Sequence, residues 1–290
     1  MKLNYIPTTC PHCGTGCGMN LIVTDKGVTG IAPYQRSVIN RGKLCNNGQA
    51  VAAELVAMPR IAKPMVAGKE VTLDAAIAEV KKLSGAEILV SPRLTSETIY
   101  LADRYAKEVQ KTSGAVTLTD LYKGGNAKMT DISGADVILF IGDCMRKLPV
   151  TGGNALRAKD KGAKLLYAGK AQTYTSVQAD EVAVLNDAFE IPAGFTDALK
   201  GAKAGVVVTT AGNKFVADAE KYAKSVNAKF AVLYTTNNGK GTLSLGCKDI
   251  RADWEKAVPK TAIVFTDAIS GDEKFFQKVV PILEKIENLV

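Results

Sequence analysis

"DVILFIGD", residues 136–143, sets five apolar residues in a row between two aspartates. A strand with one wet face alternates apolar and polar side chains, whereas a strand covered on both faces does not, and double cover is the habit of parallel sheets. Runs of the same kind recur as EILVSP (87–92), AVTLTD (115–120), AKLLYAG (163–169), AGVVVTT (204–210), KFAVLYTT (229–236) and TAIVFTDA (261–268). Helical segments separate them, among them SETIYLADRYAKEVQK (96–111), GGNALRAKDKG (152–162) and NKFVADAEKYAKSVN (213–227). Strands alternating with helices build βαβ units. The predicted fold class is therefore α/β, with an open, doubly wound, mainly parallel sheet domain. A closing helix is expected over KFFQKVVPILEKIENLV (274–290), kinked or broken at Pro281.

Ahead of the α/β pattern the sequence has another texture. MNLIVT (19–24), a turn at DKG (25–27) and VTGIAP (28–33) read as a small hairpin. YQRSVINRGKLC (34–45) returns the chain to Cys45, NGQAVAAELVAM (47–58) has helical spacing, and PRIAKP (59–64) ends it with two prolines. Residues 1–66 are expected to be a compact module closed on its own thiols, and residues 67–290 the α/β domain.

Those thiols carry the chemistry. CPHCGTGC (10–17) holds three cysteines and the chain's single histidine. Two residues separate Cys10 from Cys13, three separate Cys13 from Cys17, and 27 separate Cys17 from Cys45. Structural zinc takes its ligands as two separated pairs. Three thiolates on one winding loop and a fourth from afar suit the faces of a cubane, so a [4Fe–4S] cluster on Cys10, Cys13, Cys17 and Cys45 is favoured over zinc or an unligated loop. The fold is thus a small N-terminal iron–sulfur module followed by the parallel-sheet domain. His12 is assigned a place beside the cluster, since four cysteines fill the coordination count. Cys144 and Cys247 stand alone and read as small packing residues. The glycines of GTGCG let the loop turn and bring amides towards sulfur.

The residues also resemble a family. TTCPHCGTGCGMNLIV (8–23), GVTGIAPYQRSVINRGKLCNNG (27–48) and MPRIAKPMV (58–66) look like the N-terminal domain of the molybdopterin oxidoreductases, the formate dehydrogenase alpha subunit in particular. EVTLDAAIAEVKKL (70–83) and residues 132–169 are similar to the opening of that family's α/β region. The resemblance implies a cluster relaying electrons to a molybdenum or tungsten atom held by two pterin guanine dinucleotides. Three departures point away from such a cofactor here. Asn47 stands where the family has a lysine, and residues 111–135 contain neither the metal-ligating cysteine nor its histidine. The sequence also stops before the family's later domains. The acidic residue expected after the strand AKLLYAG is replaced by Gly169 and Lys170, so molybdopterin guanine dinucleotide is not expected. The layout is similar in kind to the large iron–sulfur subunit of complex I, which keeps such a scaffold without its metal.

Composition narrows the rest. No run approaches about 18 apolar residues, so no membrane span is expected, and MKLNYIPTTC lacks the apolar core of a signal peptide. A cytoplasmic location is expected, where thiols stay reduced. The net charge of +8 is spread along amphipathic segments, with no basic block interleaved with aromatics, so nucleic acid is not an expected partner. A basic surface suits an acidic electron carrier. No G-x-G-x-x-G opens a helix, and YKGGNAK (122–128) and VTGGNALRAK (150–159) read as plain turns before helices. The expected function is an electron-transfer subunit of a larger, oxygen-sensitive oxidoreductase complex, with no catalytic residue of its own. The alternatives are a formate dehydrogenase-like catalytic subunit whose pterin is completed by a partner, and a scaffold stapled by its cluster. Lys43 is a candidate for offsetting cluster charge.

Overall fold

The computed structural model describes residues 2–58, 61–266 and 279–290 of the chain. β1 (Asn4–Thr9), β2 (Gly18–Thr24) and β3 (Gly27–Pro33) form a three-stranded antiparallel sheet in that order. β2 and β3 are the predicted hairpin, to which β1 adds a third strand. The helix Asn46–Ala57 follows, and β4 (Met65–Val66) pairs with β5 (Lys69–Glu70) in a short hairpin. Then come β6 (Glu87–Val90), β7 (Val116–Thr117), β8 (Val137–Ile141), β9 (Lys164–Gly169), β10 (Glu181–Val184), β11 (Gly205–Thr210) and β12 (Lys229–Leu233). β13 (Lys248–Asp249), β14 (Thr261–Phe265) and β15 (Asn288–Leu289) complete the set.

The α/β class holds, and its strands lie in two parallel sheets rather than one. One sheet has the order β10-β9-β8-β11-β12 and the other β13-β7-β6-β14-β15. Two compact units correspond to them, Met1–Val51 with Asp120–Asn237, and Ala52–Thr119 with Asn238–Val290. The change of pattern at residue 66 is a boundary of texture, whereas the units are discontinuous in sequence. A doubly buried strand advertises two covered faces but not which edge it pairs with, so the runs alone do not reveal the split into two sheets.

The first unit shows why DVILFIGD is so apolar. Successive side chains of a strand point to opposite faces. Ile138 and Phe140 therefore enter one core with Leu165, Tyr167, Val206 and Val208, closed by Ala155 and Ala158 of the helix Pro149–Lys159. Leu139 and Ile141 enter the other with Leu166 and Val207, closed by Phe195, Leu199, Ala219 and Ala223. Burying each large side chain contributes about 1.5–3 kcal/mol, so β8 anchors both layers. Strand order reverses between β8 and β11, the point at which open α/β sheets leave a crevice beyond their carboxyl ends. In the second unit Ile88 and Val90 pack with Ile99 and Ala102, and Leu89 packs with Val116, Leu118 and Trp254.

Two local expectations change. VTGGNALRAK is not a turn before a helix, because the helix spans Pro149–Lys159 and contains the glycines. A Cβ on Gly152 would lie 2.9 Å from Met145 Cβ, so this glycine permits close packing of two helical segments. The predicted terminal helix is helical over 279–283 and gives way to β15, which pairs with β14; residues 274–278 lie outside the described residues. Val264 N donates to Val290 O at 2.7 Å, so the last residue adds to the sheet edge. YKGGNAK is a loop as read, and it serves the sheet: Asn126 and Ala127 amides both donate to Phe230 O. Among the described residues no helix is long and apolar enough to cross a membrane.

The two glycines of the helix respond differently to a side chain. Gly152→Ala is expected to cost about 1–3 kcal/mol through overpacking. Gly153→Ala, whose Cβ meets nothing nearer than Arg157 Nη1 at 3.7 Å, is expected to be neutral or to gain up to about 1 kcal/mol. Urea midpoints of the two variants measure the contrast.

Ion pairs at the ends of the same sheet make stability sensitive to acid. Lys229, at 2.6 Å, and the Lys128 amide hold the Asp131 carboxyl below its usual range, and Lys159, at 2.8 Å, with the Leu165 amide does the same for Asp180. A carboxyl depressed in the folded state lends stability that is complete above its unfolded value of about 4 and is lost as pH falls through the lower folded value. The urea midpoint is therefore expected to fall below about pH 4. An Asp131→Asn, Asp180→Asn double variant should start lower at pH 7 and lose less on acidification.

Candidate iron–sulfur centre

β1 runs antiparallel to β2 with Thr9 opposite Gly18, so residues 10–17 form a loop suspended between two paired strands. The Cys10 amide donates to the Cys17 carbonyl at 2.8 Å and closes the neck of the loop. Gly16, at φ 72°, takes a conformation that a side chain would strain. Gly14 is required for a different reason. Its amide donates to the Tyr234 carbonyl at 3.0 Å, and a Cβ there would lie 2.7 Å from that oxygen and 2.8 Å from Tyr234 Cβ. The loop tip thus lies flat against the chain leaving β12. The Gly14 amide, expected from the sequence to lean towards sulfur, is committed to Tyr234.

Cys45 reaches the loop through residues 34–45. Asn40, 1% exposed, fastens that return segment to the start of β2. Its Nδ2 donates to Gly18 O at 3.0 Å and to Lys43 O at 2.7 Å, and its Oδ1 accepts from Gly18 N at 3.0 Å. Gly18 is the neighbour of Cys17, so one buried amide side chain couples two otherwise remote thiols. Cys45 then precedes the helix Asn46–Ala57, its carbonyl accepting from Gln49 N at 3.0 Å.

No disulfide joins the four cysteines, of which Cys10 and Cys17 are buried and Cys13 and Cys45 half-buried. Burial first, and then the charges of Cys13, Cys10 and Cys45, push the Cys17 thiol up to about 12. Cys17 therefore lies in a poorly hydrated place within electrostatic reach of the other three cysteines, where thiolates repel and a metal cation relieves them. Among the described residues no three His, Cys, Asp or Glu side chains stand close enough to share one ion. Around a cubane each thiolate binds its own iron, so the donors stand further apart than on a single zinc. A set of four thiols fits an iron–sulfur cluster on that chemistry.

His12 is half-buried between Cys10 and Cys13, and Lys43 and Asn47 lie on the return segment and at the start of the helix that follows it. Cys144, 1% exposed, directs its thiol at the Ile141 and Val208 carbonyls, and burial pushes it up to about 12. Burial likewise pushes Cys247 up to about 11. Both are packing thiols, as read from the sequence. Sequence reasoning missed Asn40 and Thr15. Thr15 Oγ1 lies 3.4 Å from Cys13 Sγ and 3.4 Å from Thr151 Oγ1.

A family model described as the molybdopterin oxidoreductase Fe4S4 domain matches residues 3–55. This segment is a molybdopterin oxidoreductase Fe4S4 domain. A [4Fe–4S] cluster is its cofactor. Beyond the Fe4S4 domain the chain is homologous to longer proteins. It is 34% identical over 204 residues to the F420-dependent formate dehydrogenase subunit alpha of Methanocaldococcus jannaschii, a match covering 62% of this chain and 30% of that protein. Formate dehydrogenase H of Escherichia coli is 25% identical over 61% of this chain and 30% of its own length. An NADH-quinone oxidoreductase subunit of Rhizobium meliloti is 28% identical over 37% of this chain and 14% of its own length. The chain thus spans about a third or less of the curated relatives it matches. The homology supports a redox role.

A cavity of about 250 Å³ lies at the switch point of the first parallel sheet, beyond the carboxyl ends of its strands. Gly169 and Lys170 line it where a dinucleotide fold would place a carboxylate for a ribose. Its lining carboxylate, Asp143, accepts from the Thr175 amide at 3.0 Å and hydroxyl at 2.7 Å. These residues do not fit the ribose of a pterin guanine dinucleotide.

Asn40 gives the cluster corner a direct test. Asn40→Ala leaves the half-buried Gly18 amide without its Asn40 acceptor, and is expected to cost about 1–3 kcal/mol. Iron retained per chain after anaerobic gel filtration should fall with it, because the return segment carrying Cys45 is released.

Proposed function

We propose that this chain is an electron-transfer subunit of a larger cytoplasmic oxidoreductase complex, passing single electrons through one [4Fe–4S] cluster held by Cys10, Cys13, Cys17 and Cys45. The reading is supported by the match of residues 3–55, which contain all four cysteines, to the Fe4S4 domain, and by the burial and like charge from Cys13, Cys10 and Cys45 at Cys17. Each thiolate supplies one iron ligand, and the cluster, when bound, supplies a one-electron couple. The protein's part is to hold the sulfurs, limit their hydration and set their hydrogen bonds. Lys43, on the return segment, brings a positive charge to the approach of Cys45 and favours the more negative, reduced state. Electron donors and acceptors are then other redox subunits or an acidic carrier protein, drawn by a net charge of +8.

Homology to formate dehydrogenase alpha subunits favours a second reading, a catalytic subunit whose molybdenum or tungsten pterin is completed by a partner chain. Metal analysis of the native complex, purified without oxygen, separates the two. About four irons per chain, with an electron paramagnetic resonance signal that appears on reduction, is the expected result. Molybdenum or tungsten near one per chain would overturn the relay in favour of catalysis. A cluster that keeps one oxidation state throughout the physiological range would instead make it a staple of the fold. Replacing Cys17 by Ser should abolish the signal, while Cys144→Ser should keep it.

A further inference from the structure

Thr15 is a polar residue only 8% exposed, set between a proposed cluster ligand and a buried partner. Its Oγ1 accepts from the Cys13 thiol at 3.4 Å and lies 3.4 Å from the hydroxyl of Thr151, itself 1% exposed. Both ends of this row are held. The loop is pinned by Gly14 against Tyr234, and Thr151 stands in the first turn of the helix Pro149–Lys159, which Gly152 allows against Met145.

A hydroxyl has one hydrogen to donate and lone pairs with which to accept. While Cys13 is a thiol, its S–H donates to Thr15. Once Cys13 binds iron it has no proton, and its sulfur only accepts. The Thr15 hydrogen must then turn to Cys13 Sγ, and the Thr15 oxygen is left to accept from Thr151. The row acquires one polarity, Thr151 O–H to Thr15 O, Thr15 O–H to Cys13 Sγ. A donor to a ligand sulfur bonds more strongly when the cluster carries one more electron, so it stabilises the reduced state more than the oxidised one. We propose that Thr15, backed by Thr151, donates a hydrogen bond to Cys13 Sγ and sets the cluster's reduction potential higher than the four thiolates alone would. The inference rests on the cluster reading above, and it assigns to two hydroxyls in this chain a role in tuning the electron it carries.

The test is a redox titration of the full chain, purified without oxygen and followed by electron paramagnetic resonance, with Fe–S(Cys) stretching frequencies read by resonance Raman. Thr15→Val keeps the shape and removes the donor. Its midpoint should move to more negative potential and a terminal Fe–S stretch should rise, at unchanged iron content. Thr15→Ser should restore wild-type values. Thr151→Val should move the midpoint the same way by less, and it decides the matter if Thr15→Val does not assemble a cluster. A full cluster with wild-type midpoint in the decisive variant overturns the inference and leaves the relay standing. A wild-type chain with no reducible cluster overturns both.

Discussion

Parallel pairing imposes one constraint from which the geometry of the cluster loop follows. When every strand of a sheet runs the same way, all carboxyl ends lie along one edge, and the segments that leave them gather there. In the first compact unit β8 leads through Cys144–Lys147 into the helix Pro149–Lys159, and β12 leads directly into Tyr234. These are two places that the thiol loop touches. Gly14 rests on Tyr234, and Thr15 reaches Thr151 in the first turn of the helix. The doubly buried β8 thus does more than fill two cores. It fixes the platform on which residues 10–17 lie, and through Gly14 and Thr15 it limits where Cys13 can stand.

That dependence explains which features are legible in the sequence. The thiol spacing, the hairpin of β2 and β3 and the central strands can be read directly, because each is a local pattern of side chains with a local physical cause. The division into two sheets cannot, since β6 and β8 have the same apolar texture and nothing in a run of buried residues names its neighbour. β10 escapes a sequence reading because three of its four residues are exposed and its sequence shows no core face. β15 is hidden by the helical composition that precedes it. VTGGN reads as a turn because two adjacent glycines weaken a helix, and the reason for keeping one of them, contact with Met145, emerges only when the helices are packed.

The site shows the same divide. Four cysteines declare themselves by type and spacing. Asn40 does not, because an asparagine in a polar return loop is unremarkable until its three hydrogen bonds are seen to join Gly18 to Lys43. Thr15 is similarly plain in CGTGC, and its importance comes from a neighbour 136 residues away. Residues that recognise a metal are legible by their chemistry, while residues that adjust its surroundings are legible only by position.

The six cysteines make the distinction physical. Burial raises Cys17, Cys144 and Cys247 alike, so loss of hydration by itself does not tell a ligand from a packing thiol. Cys144 directs its thiol at two backbone carbonyls inside an apolar core, where its neighbours are aliphatic and aromatic. Cys17 meets three other cysteines, each of which makes a further negative charge harder to bear. A fold gains nothing from crowding four such groups for packing, which one or two aliphatic side chains would serve better. At Cys17 burial first, and then the charges of the three other cysteines, hold the thiol up, and a bound metal cation would relieve both. On the cluster reading proposed for these cysteines, the burial and like charge that set Cys17 apart from the packing thiols are the features that would favour a bound metal cation.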